Sequence, residues 1–167
     1  MDIRFTPYRN DPLLPYGDHR HVARIFCRAF TGSIQTDVEH MIDEELSQGH
    51  RYILASVNGE LTGFVSWRPW GRPHHRLAEL YHIGVDPLNP NAKGLGRLLV
   101  AEMERDITEC FVGLNGTGPR KVFILTHADN LRAQNLYRRC GYEHQATLPD
   151  FFRTGVNEYY FAKEFES

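Results

Sequence analysis

ELYHIGVDPLNPNAKGLGRLLVAEM, residues 79–103, contains a strand, a turn and the beginning of a helix. The apolar run 80–85 is typical of a buried strand, and it ends at Asp86 and Pro87, which favour a turn. From Leu95 onward, apolar residues recur at the spacing of one helix face: Leu95, Leu98, Leu99, Met103, Ile107 and Phe111. We therefore expect a strand, a glycine turn and a helix with one buried stripe.

The glycine turn has the features of an anion-binding site. The first turn of a helix carries N–H groups without intrahelical partners, and the helix dipole adds partial positive charge there. Gly94 and Gly96 lack side chains that would keep an anion away from these amides, and Lys93 and Arg97 add formal positive charge. The pattern suits a diphosphate. A dinucleotide-binding turn would need a third glycine where Leu99 stands, and a nucleoside triphosphate loop would need Gly-Lys followed by Ser or Thr.

A second strand and helix follow this unit. Residues 122–125 form another apolar run, and the segment from Asn130 to Tyr137 leads into a helix that ends near Gly141. Uninterrupted apolar strands joined by a helix indicate a parallel pair that is covered on both faces.

The order of these motifs resembles the GCN5-related N-acetyltransferase (GNAT) superfamily, which binds acetyl-coenzyme A. The residues that carry the resemblance are Val85-Asp86-Pro87, the loop from Asn91 to Gly96, Asn130 with Ala133 and Tyr137, and Gly141-Tyr142. The chain departs from the family pattern at Asn91, where Gln or Arg is usual, and in a link from Pro87 to Gly94 that is one residue longer than common.

The resemblance implies one GNAT-like domain over residues 1–167, of the α/β (α+β) class. Its mixed, twisted sheet would have about seven strands and about four flanking helices, and it would be splayed where acetyl-coenzyme A enters. The flanking sequence fits this order. We expect a strand over 3–8 ended by Asn10-Asp11-Pro12, a helix after an N-cap at Asp18, a helix over 37–48, a hairpin of 52–57 and 61–67 around Asn58-Gly59, and strands over 143–148 and 157–165 joined by a loop over 149–155.

Composition excludes several classes of protein. The chain has 41% hydrophobic and 24% charged residues and a formal charge of −2, which offers no general attraction to nucleic acid. No apolar run approaches membrane-spanning length, and the N-terminus lacks a secretory apolar core, so we expect no membrane partner and a cytoplasmic protein, with the nucleus left open. The three cysteines and nine histidines show no metal-ligand spacing, and we assign no metal.

The resemblance implies roles for the central residues toward acetyl-coenzyme A. The backbone at Ile83, Gly84 and Val85 would face the thioester, and Gly84 inside a strand independently suggests a bulge or a close approach, with a packing glycine as the alternative. The residues expected to bind the pyrophosphate are Asn91, Ala92, Lys93, Gly94, Leu95, Gly96 and Arg97. Asn130, Ala133, Asn135 and Tyr137 would hold the pantetheine end, although Asn130 can also be the N-cap of its helix.

Two residues are candidates for acid–base catalysis. The resemblance makes Tyr137 the general acid near the coenzyme sulfur, although a tyrosine on an amphipathic helix is more often a packing residue. Glu79 matches the position of a general base in some members, and its alternative is an ordinary strand-end glutamate. Tyr81 and His82 are further candidates, of which only Tyr81 shares the strand face of Glu79.

The acceptor is expected between the first two helices and the loop of the last two strands. The candidate substrate-binding residues are Phe30, Glu39, Tyr81, Phe151 and Phe152, and the same aromatic residues could instead pack under loops.

We expect an acyltransferase that acetylates a primary amine of a small molecule by direct attack in a ternary complex. A protein or peptide N-terminus or lysine is the alternative acceptor, and a non-catalytic acyl-coenzyme A sensor is the alternative of another class. A monomer or a homodimer fits, because Tyr159 and Phe161 could face a partner or the core.

Overall fold

The computed structural model describes residues 1–8, 19–30 and 32–165. The expected turn at residues 10–12 and the expected N-cap at Asp18 lie outside the described residues. The strands are β1 (Ile3–Tyr8), β2 (Arg51–Val57), β3 (Glu60–Trp70), β4 (Leu77–Val85), β5 (Lys121–His127), β6 (Glu143–Arg153) and β7 (Val156–Glu164). The helices are α1 (His19–Ala29), α2 (Gln35–Ser47), α3 (Leu95–Asn115) and α4 (Leu131–Arg139), with single 3₁₀ turns at Pro73–His75 and Pro90–Ala92.

The seven strands form one mixed sheet in the order β1-β2-β3-β4-β5-β7-β6, which confirms the expected fold class. β4 and β5 are parallel and pair from Leu77–Lys121 to Leu80–Ile124, as the two apolar runs predicted. β1 and β3 flank β2 in antiparallel register, and β7 lies antiparallel between β5 and β6. The expected hairpin joins β2 to β3, and Asn58 and Gly59 both have the positive φ of a tight hairpin turn (52° and 84°).

The chain divides into two compact units. The first comprises residues 1–68 and 82–103, and the second comprises residues 69–81 and 104–167. The core of the first unit packs α1 and α2 on the inner strands, and its buried residues include Val22, Ile25, Phe26, Ile42, Leu54 and Phe64. In the second unit, stacked rings of Phe123 and Tyr160 lie 5.4 Å apart, and Phe161 packs against Tyr137.

Two expectations from the sequence were wrong in detail, and the structure decides between two orientations that the sequence left open for the last strand. Leu98 is 43% exposed, so it lies beside the buried stripe of α3 and not within it. β6 continues to Arg153, because the antiparallel pairing with β7 resumes beyond a register shift and the turn comes only at Gly155. Phe161 is fully buried and faces the core, whereas Tyr159 is half-buried against the ring of His144.

Candidate active site

The turn after β4 belongs to the first unit and is organised by Asp86. Its buried carboxylate accepts a hydrogen bond from the Leu88 backbone N–H (3.0 Å) and lies 2.5 Å from Nη1 of Arg28 on α1. The backbone N–H of Asp86 donates to the Thr62 carbonyl of β3 (2.7 Å), and the Asn89 side chain donates to the Thr62 hydroxyl (3.0 Å). These bonds fix the path from the strand to the glycine turn. No local pattern in the sequence indicated Arg28 or Thr62 in this role.

The glycine turn leads directly into the long helix α3. Asn89 accepts a hydrogen bond from the Asn91 backbone N–H (2.9 Å) and starts the 3₁₀ turn Pro90–Ala92. Gly94 has φ of +83°, a conformation that other residues rarely adopt, and a Cβ added there would meet no atom within 4 Å. Lys93 and Arg97 are exposed. An open backbone turn, a helix N-terminus and two exposed cations are consistent with binding of a diphosphate.

Gly84 lies in a tightly packed part of β4. A Cβ added to Gly84 would come within 2.6 Å of the Phe64 ring and 3.4 Å of Ala29 Cβ. Gly63 on β3 is equally confined, because its Cβ would lie 3.0 Å from the Gly84 carbonyl oxygen. Close packing is therefore sufficient to account for a glycine at this position. Ile83 and Val85 beside it are half-buried.

Tyr137 lies on α4 in the second unit and is 5% exposed. Its ring contacts those of Tyr142 and Phe161, with centroids 6.5 and 6.1 Å apart. Burial, with a smaller contribution from Cys140, raises the pKa of Tyr137. The phenol is protonated at neutral pH, as an ordinary tyrosine also is, so the shift in pKa does not by itself assign Tyr137 as a general acid.

The start of α4 is capped by Asn130, whose side chain accepts a hydrogen bond from the Ala133 backbone N–H (3.1 Å). Asn130 is thus the N-cap of α4. Its side-chain oxygen forms the cap, and its side-chain amide nitrogen does not take part in it. Asn135 is exposed and Ala133 is half-buried. Gln134 is a buried residue that sequence reasoning missed: its side-chain amide donates to the Ala128 carbonyl (2.9 Å) and ties α4 to the end of β5.

Glu79 and Tyr81 lie on the part of β4 that belongs to the second unit. Glu79 is only 5% exposed and pairs in register with Phe123 of β5. It is therefore not the exposed strand-end glutamate of the alternative interpretation. Tyr81 is 38% exposed.

The expected acceptor residues fall in both units. Phe30 is half-buried at the end of α1, 4.5 Å from the Phe26 ring, and Glu39 accepts a hydrogen bond from Gln35 on α2 (3.1 Å). In the second unit, Phe151 and Phe152 are 52% and 64% exposed and meet edge to face. Thr31, which the resemblance also places near the acceptor, lies outside the described residues.

Sequence reasoning placed no weight on Glu45, a buried carboxylate of α2. It contacts Tyr52 of β2, seven positions away in the sequence, and His82 of β4, 37 positions away. Because the three residues of this cluster come from three different elements, no local spacing could have indicated it.

Among residues 1–8, 19–30 and 32–165, no group of three or more His, Cys, Asp or Glu could hold a metal ion. No helix in the same ranges is both long and apolar enough to span a membrane.

Comparison with known families gives a match that covers most of the chain. The model of the acetyltransferase (GNAT) family matches residues 20–142. A mycothiol acetyltransferase of Mycolicibacterium smegmatis is 31% identical over 132 residues, which cover 76% of this chain and 43% of that protein. A mycothiol acetyltransferase of Cellulomonas flavigena is 35% identical over 57% of this chain and 27% of that protein. The chain thus spans less than half the length of these relatives.

Solved structures share the fold along the whole chain. A GNAT-family acetyltransferase structure from Desulfovibrio desulfuricans has a TM-score of 0.75 at 24% identity and covers 98% of this chain and 99% of that one. The ribosomal-protein-S18-alanine N-acetyltransferase of Escherichia coli has a TM-score of 0.75 at 17% identity, covering 99% and 96%. A GNAT-family acetyltransferase of Elizabethkingia anophelis with acetyl-CoA bound has a TM-score of 0.71 at 18% identity, covering 98% of each chain.

Proposed function

This chain belongs to the GNAT family of acetyltransferases, and on that premise we propose that it transfers the acetyl group of acetyl-coenzyme A to a primary amine of a small molecule. The observation that carries the proposal is the turn at Gly94. Its open backbone, its positive φ and its place at the start of α3 fit a pyrophosphate, for which Lys93 and Arg97 supply charge.

Different residues would then bind different parts of acetyl-coenzyme A. Asn91, Ala92, Leu95 and Gly96 present the backbone of the same turn to the pyrophosphate. Asn130, Ala133 and Asn135 on α4 hold the pantetheine arm, and the backbone N–H groups at residues 83–85 stabilise negative charge on the acetyl oxygen. When bound, acetyl-coenzyme A supplies an activated thioester, so the protein needs only to orient the acceptor and to manage protons.

Two side chains carry out the proton transfers. Tyr137, whose phenol is protonated at neutral pH, gives its proton to the departing sulfur. Glu79 takes the proton that the nitrogen must lose as the new amide bond forms. Burial of Glu79 shields this transfer from bulk water.

The acceptor is proposed from the relatives and from the aromatic residues. Two curated relatives are named for mycothiol and not for a protein, which favours a small molecule. The structural relative named for an alanine of ribosomal protein S18 keeps a protein N-terminus as the second candidate. Phe30, Tyr81, Phe151 and Phe152 offer ring faces, and Glu39 offers charge, for a cationic amine.

The test is the release of free thiol from acetyl-coenzyme A in the presence of polyamines, amino sugars, aminoglycosides, amino acids or short peptides. We expect turnover on one class of small amine. Turnover on peptides alone would instead establish the protein acceptor. Tight binding of coenzyme A without turnover on any amine would establish the sensor and overturn the proposed activity.

A further inference from the structure

A buried carboxylate in the first unit holds an imidazole in place. Glu45 is 7% exposed, and its Oε1 lies 2.9 Å from Nε2 of His82. The hydroxyl of Tyr52 donates to the other carboxylate oxygen, and Nδ1 of His50 lies 3.7 Å from that oxygen, beyond hydrogen-bond distance. A buried charge persists only with such partners, because its desolvation is costly.

The imidazole itself is less enclosed than the carboxylate behind it. The side chain of His82 is 20% exposed, compared with 9% for that of Glu45. Its backbone N–H donates to the Ser66 hydroxyl (3.1 Å), which anchors this part of β4 to β3. The edge of the ring lies against Phe26, at 5.1 Å and 81°, and against Phe30, at 6.4 Å and 66°. Phe30 is one of the residues that the sequence assigns to the acceptor.

The groups around this pair favour the anionic form of the Glu45 carboxylate. Burial acts to raise the pKa of Glu45, but the hydrogen bonds from His82 and Tyr52 outweigh it and lower the pKa overall. Burial lowers the pKa of His50; the Glu45 charge acts to raise it, but Arg68 of β3 and His82 add to the lowering, so the pKa is lowered overall. When the carboxylate accepts from Nε2–H, the second ring nitrogen, Nδ1, is the one that takes up a proton.

We infer that His82, held by Glu45, removes the first proton from the acceptor ammonium in the acetyl transfer. The assignment rests on the proposed function. An ammonium R–NH3⁺ and neutral His82 give R–NH2 and imidazolium, and the imidazolium, stabilised by the Glu45 carboxylate, returns its proton to water. The free lone pair of R–NH2 then attacks the acetyl carbon. Glu79, on the opposite face of the strand, keeps a separate task, which is to accept through water the proton that leaves the nitrogen as the amide forms.

The experiment compares His82→Asn and Glu45→Gln with the wild type, using the fastest amine of the thiol-release panel. As a control, His40→Asn removes an exposed imidazole of α2. We expect His82→Asn to lower kcat/KM about 100-fold near pH 7. The loss should shrink at about pH 9.5, because more of the amine is then already neutral in solution. Glu45→Gln should show a smaller loss with the same pH dependence, and His40→Asn should show none.

Two further measurements do not depend on turnover. Titration calorimetry should give the same coenzyme A affinity for all four proteins. Long-range ¹H–¹⁵N spectra of the histidine rings should place the proton of His82 on Nε2 in the wild type, and Glu45→Gln should weaken this preference. A pH-independent loss in His82→Asn would mean a structural role and would overturn the assignment, as would full activity of that variant at pH 7. If the wild type acetylates no amine, the proposed function falls together with this inference.

Discussion

Tyr137 illustrates that burial alone does not distinguish a catalytic residue from a packing residue. The phenol is buried among Tyr142 and Phe161, and its pKa is raised. A packing tyrosine would have the same surroundings, so the sequence motif and the structure are compatible with both roles. Mutation separates them, because the hydroxyl matters for a general acid and the ring matters for packing.

We expect Tyr137→Phe to lower kcat about 100-fold while coenzyme A affinity and stability change little, because only the proton donor is lost. Rapid measurement of thiol release and calorimetric titration check the two parts. Tyr159→Phe on β7 serves as the control. Unchanged kcat in Tyr137→Phe would assign Tyr137 to packing.

Gly84 gives a prediction about stability. An alanine Cβ would lie 2.6 Å from the fully buried Phe64 ring, so Gly84→Ala should lower the free energy of unfolding by about 1–3 kcal/mol. Gly113→Ala is the matched control, since that glycine of α3 has open space around it and the change should stabilise the helix by about 0.5–1 kcal/mol. Urea denaturation measures both. Equal stability of Gly84→Ala and the wild type would contradict the packing described for β4.

At the scale of elements, the sequence predicted what local chemistry determines. The Asn58-Gly59 hairpin, the parallel strands β4 and β5 and the cap at Asn130 all follow from residues that are neighbours in the chain. The extension of β6 to Arg153 could not be predicted, because pairing with β7 overrides the turn-forming residues 149–150. The Glu45–His82 contact joins residues 37 positions apart, and no periodic pattern in the sequence indicates it.

The turn after β4 depends on Asp86, and its loss should affect both stability and binding. We expect Asp86→Ala to cost about 1–3 kcal/mol, because the Leu88 N–H and Arg28 both lose a buried acceptor. The coenzyme A affinity should fall as well, since the turn leads to Gly94. Asp86→Asn can still accept from Leu88, so its losses should be smaller when both are measured by urea denaturation and calorimetry. If Asp86→Ala bound coenzyme A with wild-type affinity, the turn held by Asp86 would not contribute to the proposed pyrophosphate site.

For the whole molecule, the lowered pKa of Glu45 predicts that the free energy of unfolding depends on pH in the acidic range. Its folded-state pKa lies below its ordinary value of 4.5, so its carboxylate contributes stability above that value and loses it as the pH falls through the lower folded-state pKa. Wild type should therefore exceed Glu45→Gln in free energy of unfolding at about pH 5.5, and the difference should narrow toward about pH 3. Urea denaturation across this range checks the sign. A difference that grew as the pH fell would contradict the assignment of charge to Glu45.

The central claim is direct transfer of the acetyl group to an amine. The most direct measurement mixes the protein with acetyl-coenzyme A labelled in the acetyl carbons, first alone and then with the best amine of the panel, and follows the label by mass spectrometry. We predict no label on the protein alone and one labelled acetyl group on the amine nitrogen for each thiol released. Label that accumulates on the protein would contradict direct attack, and label that stays on coenzyme A with every amine would contradict the acetyltransferase itself.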